Sequence, residues 1–457
     1  MPFSRLVSYA CPSRTNGIYQ AQYAVLACIG IITTFGFSLL NIPFARLAHS
    51  LEGIFLLLFI AALFRAPAAA RRDTAWFFFY GSIALAVLTY TTSHLQFPRY
   101  AEPYPQIDVL GGLFLFFPIA WWLGGNTKKV LVLFALALVG LFLGMLHYSP
   151  WSDVTNALHG QRVGFGLRNP EHTGVFFGTA LIGWLAFLNR LTRAADGRIV
   201  PWRMLLWALM FVLLTAGTIV TQTRAVWLGL ITSAILLAAV AIFRGRHLRP
   251  GRTFGATAVI IVLLGASIVY SGAGRIITAR VDTEQNVINQ LLAGKTHNIP
   301  YTSIGLRIKL WQEAWRWIKQ RPITGWGYRA KKSVIDDSPR FPEWIKKDFG
   351  HLHNSLIGLW VTFGLLGVAL LAWLAWWIGI CSWRAWRAGR MPSDVFLFGV
   401  AFFPFWIVVN QFESYFIWGT GTYLMGIIGG GLYTYHLAGK QAVRNTAAAD
   451  NNILSPT

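Results

Sequence analysis

The sequence predicts an all-α polytopic membrane protein of about twelve transmembrane helices, with one large polar loop between the ninth and tenth. Three observations predict it. Of 457 residues, 55% are hydrophobic and only 12% are charged, against roughly 25% charged in soluble domains. Mean hydropathy is +0.51, with 33 Phe, 21 Trp and 15 Tyr. The apolar residues fall in runs long enough to cross a hydrocarbon core about 30 Å thick, which takes about 20 residues per helix. Too few polar side chains exist to cover such a chain in water. A soluble globular enzyme is therefore excluded, and so is a disordered chain.

The expected spans are 22–40, 50–64, 75–92, 108–124, 129–147, 171–189, 204–222, 225–243, 254–271, 355–381, 395–411 and 414–436. The second is the weakest, because Pro43 and Arg46 crowd its start. The first run is long enough to span and no A-x-A cleavage site follows it, so it reads as an uncleaved helix. Cys11, Cys28 and Cys381 show no CxxC spacing and lie in or near apolar segments, so neither a disulfide framework nor a zinc ribbon is expected. No internal repeat is evident.

Lys and Arg set the orientation. With the N-terminus in the cytoplasm, alternate connections carry twenty basic residues on the inner side, against Arg46, Arg99, Arg162, Arg168 and Arg224 in the short outer connections. Both termini are then cytoplasmic. The chain divides into residues 1–271 with spans one to nine, a loop domain 272–354, residues 355–436 with spans ten to twelve, and a disordered cytoplasmic tail 437–457. The loop holds 14 Lys+Arg and 7 Asp+Glu, and long loops translocate regardless of charge. Within it, Ile304–Gln320 places Leu306, Leu310, Trp311, Ala314, Trp317 and Ile318 at helical spacing among basic residues, and Pro322 ends the pattern. Aromatic and basic helices of this kind often lie along a membrane surface.

Four places concentrate polar chemistry. Gly350–Leu356 stands where the loop re-enters the tenth span. On a regular helix, residues two apart point about 200° away from each other. His351 and His353 are thus not expected to share a ligand, and the i, i+4 spacing of a zinc helix is missing. A neutral imidazole at a helix N-terminus is a candidate general base. The competing reading is a cap built from Asn354 and Ser355. In the turn Thr221–Trp227, Arg224 stands at a helix N-terminus, where it either binds an anion or snorkels to lipid headgroups. Arg307 lies one turn before Trp311, either stacked on the indole or part of a solvated basic face. Pro322–Arg329 is a glycine-rich turn that reads as structural, without the GxxxxGK pattern of a nucleotide loop.

No DxD or spaced carboxylate pair stands at an outer span end, and Asp336 and Asp337 are adjacent. A diphosphate here would be neutralised by arginines rather than by Mg²⁺. No metal, cofactor or nucleic acid is expected. A transporter or lipid flippase is the competing class, but many such proteins carry internal repeats and interrupted helices at the midplane, whereas here the polar mass lies in one loop.

At these residues the sequence resembles the O-antigen ligase family and the wider group it shares with O-antigen polymerases and bacterial protein O-oligosaccharyltransferases. The resemblance rests on the many spans, the large late loop, Arg224 with Trp227, Arg307 with Trp311, Gly325 with Gly327, and His353-Asn354 followed by Gly364 and Gly367. It implies a metal-independent, inverting glycosyltransferase of the glycosyltransferase-C-like kind, set in the bacterial inner membrane with its site on the periplasmic side. The donor would be a glycan on undecaprenyl diphosphate and the acceptor a sugar hydroxyl of lipid A–core, completing lipopolysaccharide. A polymerase or protein-glycosylating relative would use the same chemistry on another acceptor. Carried onto this chain, Arg224 and Arg307 hold the diphosphate and His353 is the base. His351, Asn354, Trp311, Trp227, Gly325, Gly327 and Arg329 serve substrate binding.

Overall fold

The computed structural model describes residues 17–66, 72–243 and 299–453, with isolated positions between 285 and 293. The expected ninth span and the first part of the loop lie outside the described residues. Every described element is a helix or helical turn, apart from an isolated bridge between Arg193 and Ile199.

In chain order these are α1 (Gly17–Leu40), α2 (Ala45–Arg65), α3 (Thr74–Gln96), α4 (Ile107–Gly111), α5 (Phe116–Leu123), α6 (Thr127–Tyr148), α7 (Trp151–Leu158), α8 (Pro170–Ala186), α9 (Leu188–Thr192), α10 (Pro201–Val220) and α11 (Arg224–Phe243). After the gap come α12 (Ser303–Gln320), α13 (Ala330–Asp336), α14 (Glu343–Asp348), α15 (Ser355–Arg387), α16 (Ser393–Val409) and α17 (Gly419–Ile453). Five of them, α2, α3, α6, α10 and α15, are long and apolar enough to cross a membrane. α11, α16 and parts of α1 and of 107–123 are shorter apolar helices. The fourth expected span is cut by a tighter turn at Gly112–Leu115, where two successive glycines, Gly111 and Gly112, weaken the helix. α17 continues to Ile453, so the tail expected to be disordered from residue 437 is helical over most of its length.

The core of the bundle is built largely from aromatic residues, with Phe37, Phe55, Phe78, Phe116, Phe402, Phe405 and Tyr433 nearly inaccessible. The outer faces are apolar as well. On α10, Leu205, Leu209 and Val212 are all exposed, one stripe at helical spacing that needs lipid rather than water against it.

Residues 303–352 form a cap with its own core. Leu306, Leu310, Ala314 and Ile318 of α12, four apart, are buried against Val334, Ile335, Phe341 and Ile345. The amphipathic helix is thus found where expected, but its apolar stripe faces the cap interior and not a membrane surface. A side chain such as Leu310 contributes about 1.5–3 kcal/mol by this burial.

The cap is sewn to α15 at a break in that helix. Gly364 has φ 67°, ψ −167°, which interrupts the helical ladder. The freed N–H groups of Leu365 and Leu366 donate to the carbonyls of Pro322 and Ile323, and those of Trp326 and Gly327 to Val361 and Thr362. A side chain on Gly364 would collide with the Ile323 carbonyl, and one on Gly325 with that of Thr362. The two glycines therefore let two backbones approach closely. Ser93 of α3 donates to the Trp326 carbonyl, and Arg321 reaches Gln96. These bonds hold the cap over one end of the bundle.

Candidate active site beneath the cap

The histidine pair is placed by the chain's entry into α15. Asn354 is the N-cap: its side-chain oxygen accepts from the Ile357 N–H at 2.9 Å, and its amide donates to the Gln411 carbonyl at 3.1 Å. Ser355 donates to Asn410 at 2.6 Å and to the Glu413 carbonyl at 3.1 Å. These bonds dock the segment onto the turn after α16. Trp311 of α12 donates to the Leu352 carbonyl at 3.0 Å. His353 has φ 48°, a left-handed conformation uncommon for a residue with a side chain. Both histidines precede the helix, so the helical geometry that would separate them does not apply, and their ring centroids are 4.1 Å apart.

Glu413 meets both rings. Its Oε2 lies 3.0 Å from His353 Nδ1 and its Oε1 3.4 Å from His351 Nδ1. The Ser414 N–H donates to Oε1 at 2.8 Å. Burial alone would push this carboxyl up, but the hydrogen bond and charge of His353, with His351 and Ser414, outweigh it and hold it at about 2. The His353 backbone N–H donates to His351 Nδ1 at 3.3 Å. Burial, reinforced by the charge of His353, takes His351 down to about 4 despite Glu413. The ligand atoms of His351, His353 and Glu413 lie within 4.8 Å of one another. Two imidazoles and a carboxylate are a donor set that suits zinc, so these three could hold a cation.

Arginines gather beside this group. Arg307 Nη1 donates to Ser303 Oγ at 2.8 Å, while its Nε is buried without a hydrogen-bond partner. Burial lowers its pKa, and the charges of Glu171, Glu413, Arg224 and Arg162 all act on it. Arg162 pairs with Glu171 at 2.6 Å and donates to the Thr221 carbonyl at 3.1 Å, tying the Arg224 turn to the start of α8. Arg168 lies over the Trp418 ring, 3.3 Å from its centroid, and burial lowers its pKa against the pull of Glu413. Several guanidiniums around one carboxylate pair leave a net positive centre, suited to a multiply charged anion.

Beside the histidines is a cavity of about 380 Å³, lined by Tyr328, Lys331, Asp348, His351, His353 and Trp418 among others. Its volume is in the range of small-ligand sites. Lys331 lies over the Tyr328 ring at 3.2 Å, and burial brings its ammonium down to about 8.

Of the residues singled out from sequence, Arg224, Arg307, His351 and His353 come together here. Asn354 and Trp311 join them by holding the histidine segment. No stack of Arg307 on Trp311 is found among the described residues; Ser303 holds the guanidinium instead. Trp227 bonds back to the Thr218 carbonyl at 3.2 Å and steadies the Arg224 turn. Gly325 and Gly327 make their contacts with α15 and α3, and Arg329 is an exposed residue at the start of α13. Sequence reasoning missed Arg168, Glu171, Glu413 and Trp418 as site residues, and counted Arg162 and Arg168 for topology alone. One signal was available: Glu413 is the single acidic residue between the apolar runs 395–411 and 414–436.

Fold and site together define a multi-pass membrane protein with a helical cap over an arginine–histidine centre. Residues 209–372 match the family model described as O-antigen ligase, so this stretch of the chain is similar to that family. The match includes Arg224, Arg307, His351 and His353, and ends before Glu413. Among curated proteins, none matches the chain.

Proposed function

We propose that the protein is an O-antigen ligase of the bacterial inner membrane, transferring a glycan from undecaprenyl diphosphate to a sugar hydroxyl of lipid A–core on the periplasmic face. The observation that carries this reading is the buried, unpartnered Nε of Arg307, set in a field of further guanidiniums beside the His351–His353 pair.

The leaving group is a lipid diphosphate. Arg307 and Arg224, supported by Arg168 and Arg162, hold its oxygens and stabilise the charge that grows as the glycosidic bond breaks. Guanidinium keeps its proton and matches phosphate through paired N–H groups, so it suits this task better than ammonium. The acceptor hydroxyl enters from the 380 Å³ cavity and gives its proton to His353, an effect typically about 10²–10⁴-fold. Attack opposite the diphosphate inverts the anomeric carbon. The linkage is already activated, so neither a metal ion nor a nucleotide is required.

The test is direct transfer by purified protein in lipid discs, supplied with undecaprenyl-diphosphate-linked glycan, lipid A–core and excess EDTA. Glycan appearing on lipid A–core supports the reading. Transfer only between two lipid-linked glycans would make the protein a polymerase, and transfer only to a polypeptide a protein-glycosylating relative. No transfer to any acceptor, with lipid movement across the disc instead, would make it a flippase.

A further inference from the structure

Glu413 lies outside the stretch that matches the family model, yet it is bonded to the proposed base. It is 3% exposed, and Ser355 donates to its backbone carbonyl. Ser414 N–H fixes Oε1, which leaves Oε2 for His353 Nδ1. A carboxylate only accepts, so the proton in that bond sits on His353 Nδ1. His351 is arranged the other way: its Nδ1 accepts the His353 backbone N–H, so its ring proton sits on Nε2.

We propose that Glu413 is a positioning residue that locks His353 in the Nδ1–H tautomer, making His353 Nε2 the basic nitrogen of the site and leaving His351 unable to serve. This rests on the ligase reading above. In the transfer step the acceptor oxygen bonds to the anomeric carbon, and the bond from that carbon to the diphosphate oxygen breaks. The electron pair leaves with the diphosphate, and the hydroxyl proton goes to His353 Nε2. The imidazolium so formed keeps its Nδ1–H on Glu413, which stays ionised throughout. With glutamine at 413, the amide N–H can face Nδ1 and drive the proton to Nε2, which blocks the base.

The experiment uses full-length protein in lipid discs with the two lipid substrates, and combines kinetics with ¹⁵N-histidine NMR. Glu413→Gln is expected to lower kcat by about 10³–10⁴, comparable to the loss of about 10⁴ when an amide replaces the carboxylate behind a catalytic histidine elsewhere. Donor KM should stay within about threefold of wild type, and Glu413→Asp should recover much of the rate. In wild type, the resonances lost in His353→Asn should be those of an Nδ1–H ring. A wild-type Nε2–H ring at His353 overturns the inference even if Glu413→Gln fails to fold, and so does a Glu413→Gln enzyme of normal kcat. If His353→Ala is inactive while Glu413→Gln is normal, only the positioning role falls. If both are normal, the ligase mechanism itself falls. Tightly bound zinc whose removal by EDTA abolishes transfer would make the cluster a metal centre and overturn the tautomer lock.

Discussion

Trp311 of the cap and Leu352 of the histidine segment are joined by one hydrogen bond, indole N–H to backbone carbonyl, at 3.0 Å. Leu352 lies between His351 and His353, so the cap helix sets the height of both rings through this bond.

Trp311→Phe keeps most of the apolar ring and deletes the donor. A net hydrogen bond contributes about 0.5–1.5 kcal/mol, so kcat should fall by roughly 3–10-fold with little change in thermal stability. Steady-state transfer and a melting curve on the same preparation check this; a larger loss of Tm than of rate would assign the bond to folding alone.

Arg307→Ala should lower turnover by about 10²–10³, the usual cost of removing one preorganised donor from a developing oxyanion. Arg307→Lys should recover only part of this, because ammonium keeps the charge but not the paired N–H geometry. Arg168→Ala removes both a cation and the cover over Trp418, and should weaken donor binding. Single-turnover rates at saturating donor separate these effects.

Two glycine substitutions in α15 should behave oppositely. Gly364→Ala places a methyl on the Ile323 carbonyl at a positive φ, and should reduce folded yield measured by size-exclusion chromatography. Gly358→Ala meets nothing within 4 Å, and should be neutral or slightly stabilising in a helix.

Acidification should destabilise the site in two stages. The His351 pKa falls from 6.5 unfolded to about 4 folded, so the unfolded chain binds the extra proton between those values. The stability contributed is present above pH 6.5 and is lost as pH falls toward 4. Its size is of order 3 kcal/mol, from the shift of one group. Glu413, held at about 2 against 4.5 unfolded, contributes above pH 4.5 and loses its share below that. The drop in Tm between pH 7 and 4.5 should therefore be shallower in His351→Gln than in wild type; an equal slope would show that His351 is not buried as a neutral ring.

Hydrophobic run length carried most of the fold. The expected starts and ends of α3, α6, α10, α11 and α16 fall within a few residues of the helices, because a chain in lipid must close its backbone hydrogen bonds within each apolar segment. The cap helix was legible from the four-residue spacing of Leu306, Leu310, Ala314 and Ile318. What it packs on was not, since amphipathic spacing does not distinguish a membrane surface from a small helical core. In the site, Arg224, Arg307 and the histidines stood out as polar residues at span ends. Glu413, Arg168 and Trp418 did not, because their part comes from the packing of α16 against α8, segments far apart in the sequence. Helical spacing does not govern His351 and His353, because the helix begins only after Asn354.

The broken ladder at Gly364 divides a rod of 33 residues, about 50 Å at 1.5 Å per residue, well beyond the roughly 30 Å that hydrocarbon demands. Bilayers differ in thickness by a few ångströms, and helices respond by tilting. Here the tilt can be taken up below the break, while the short upper segment stays strapped to the Pro322–Gly327 turn. Under the proposed function, the candidate site is thereby insulated from the lipid composition around it and keeps one working geometry as the membrane changes.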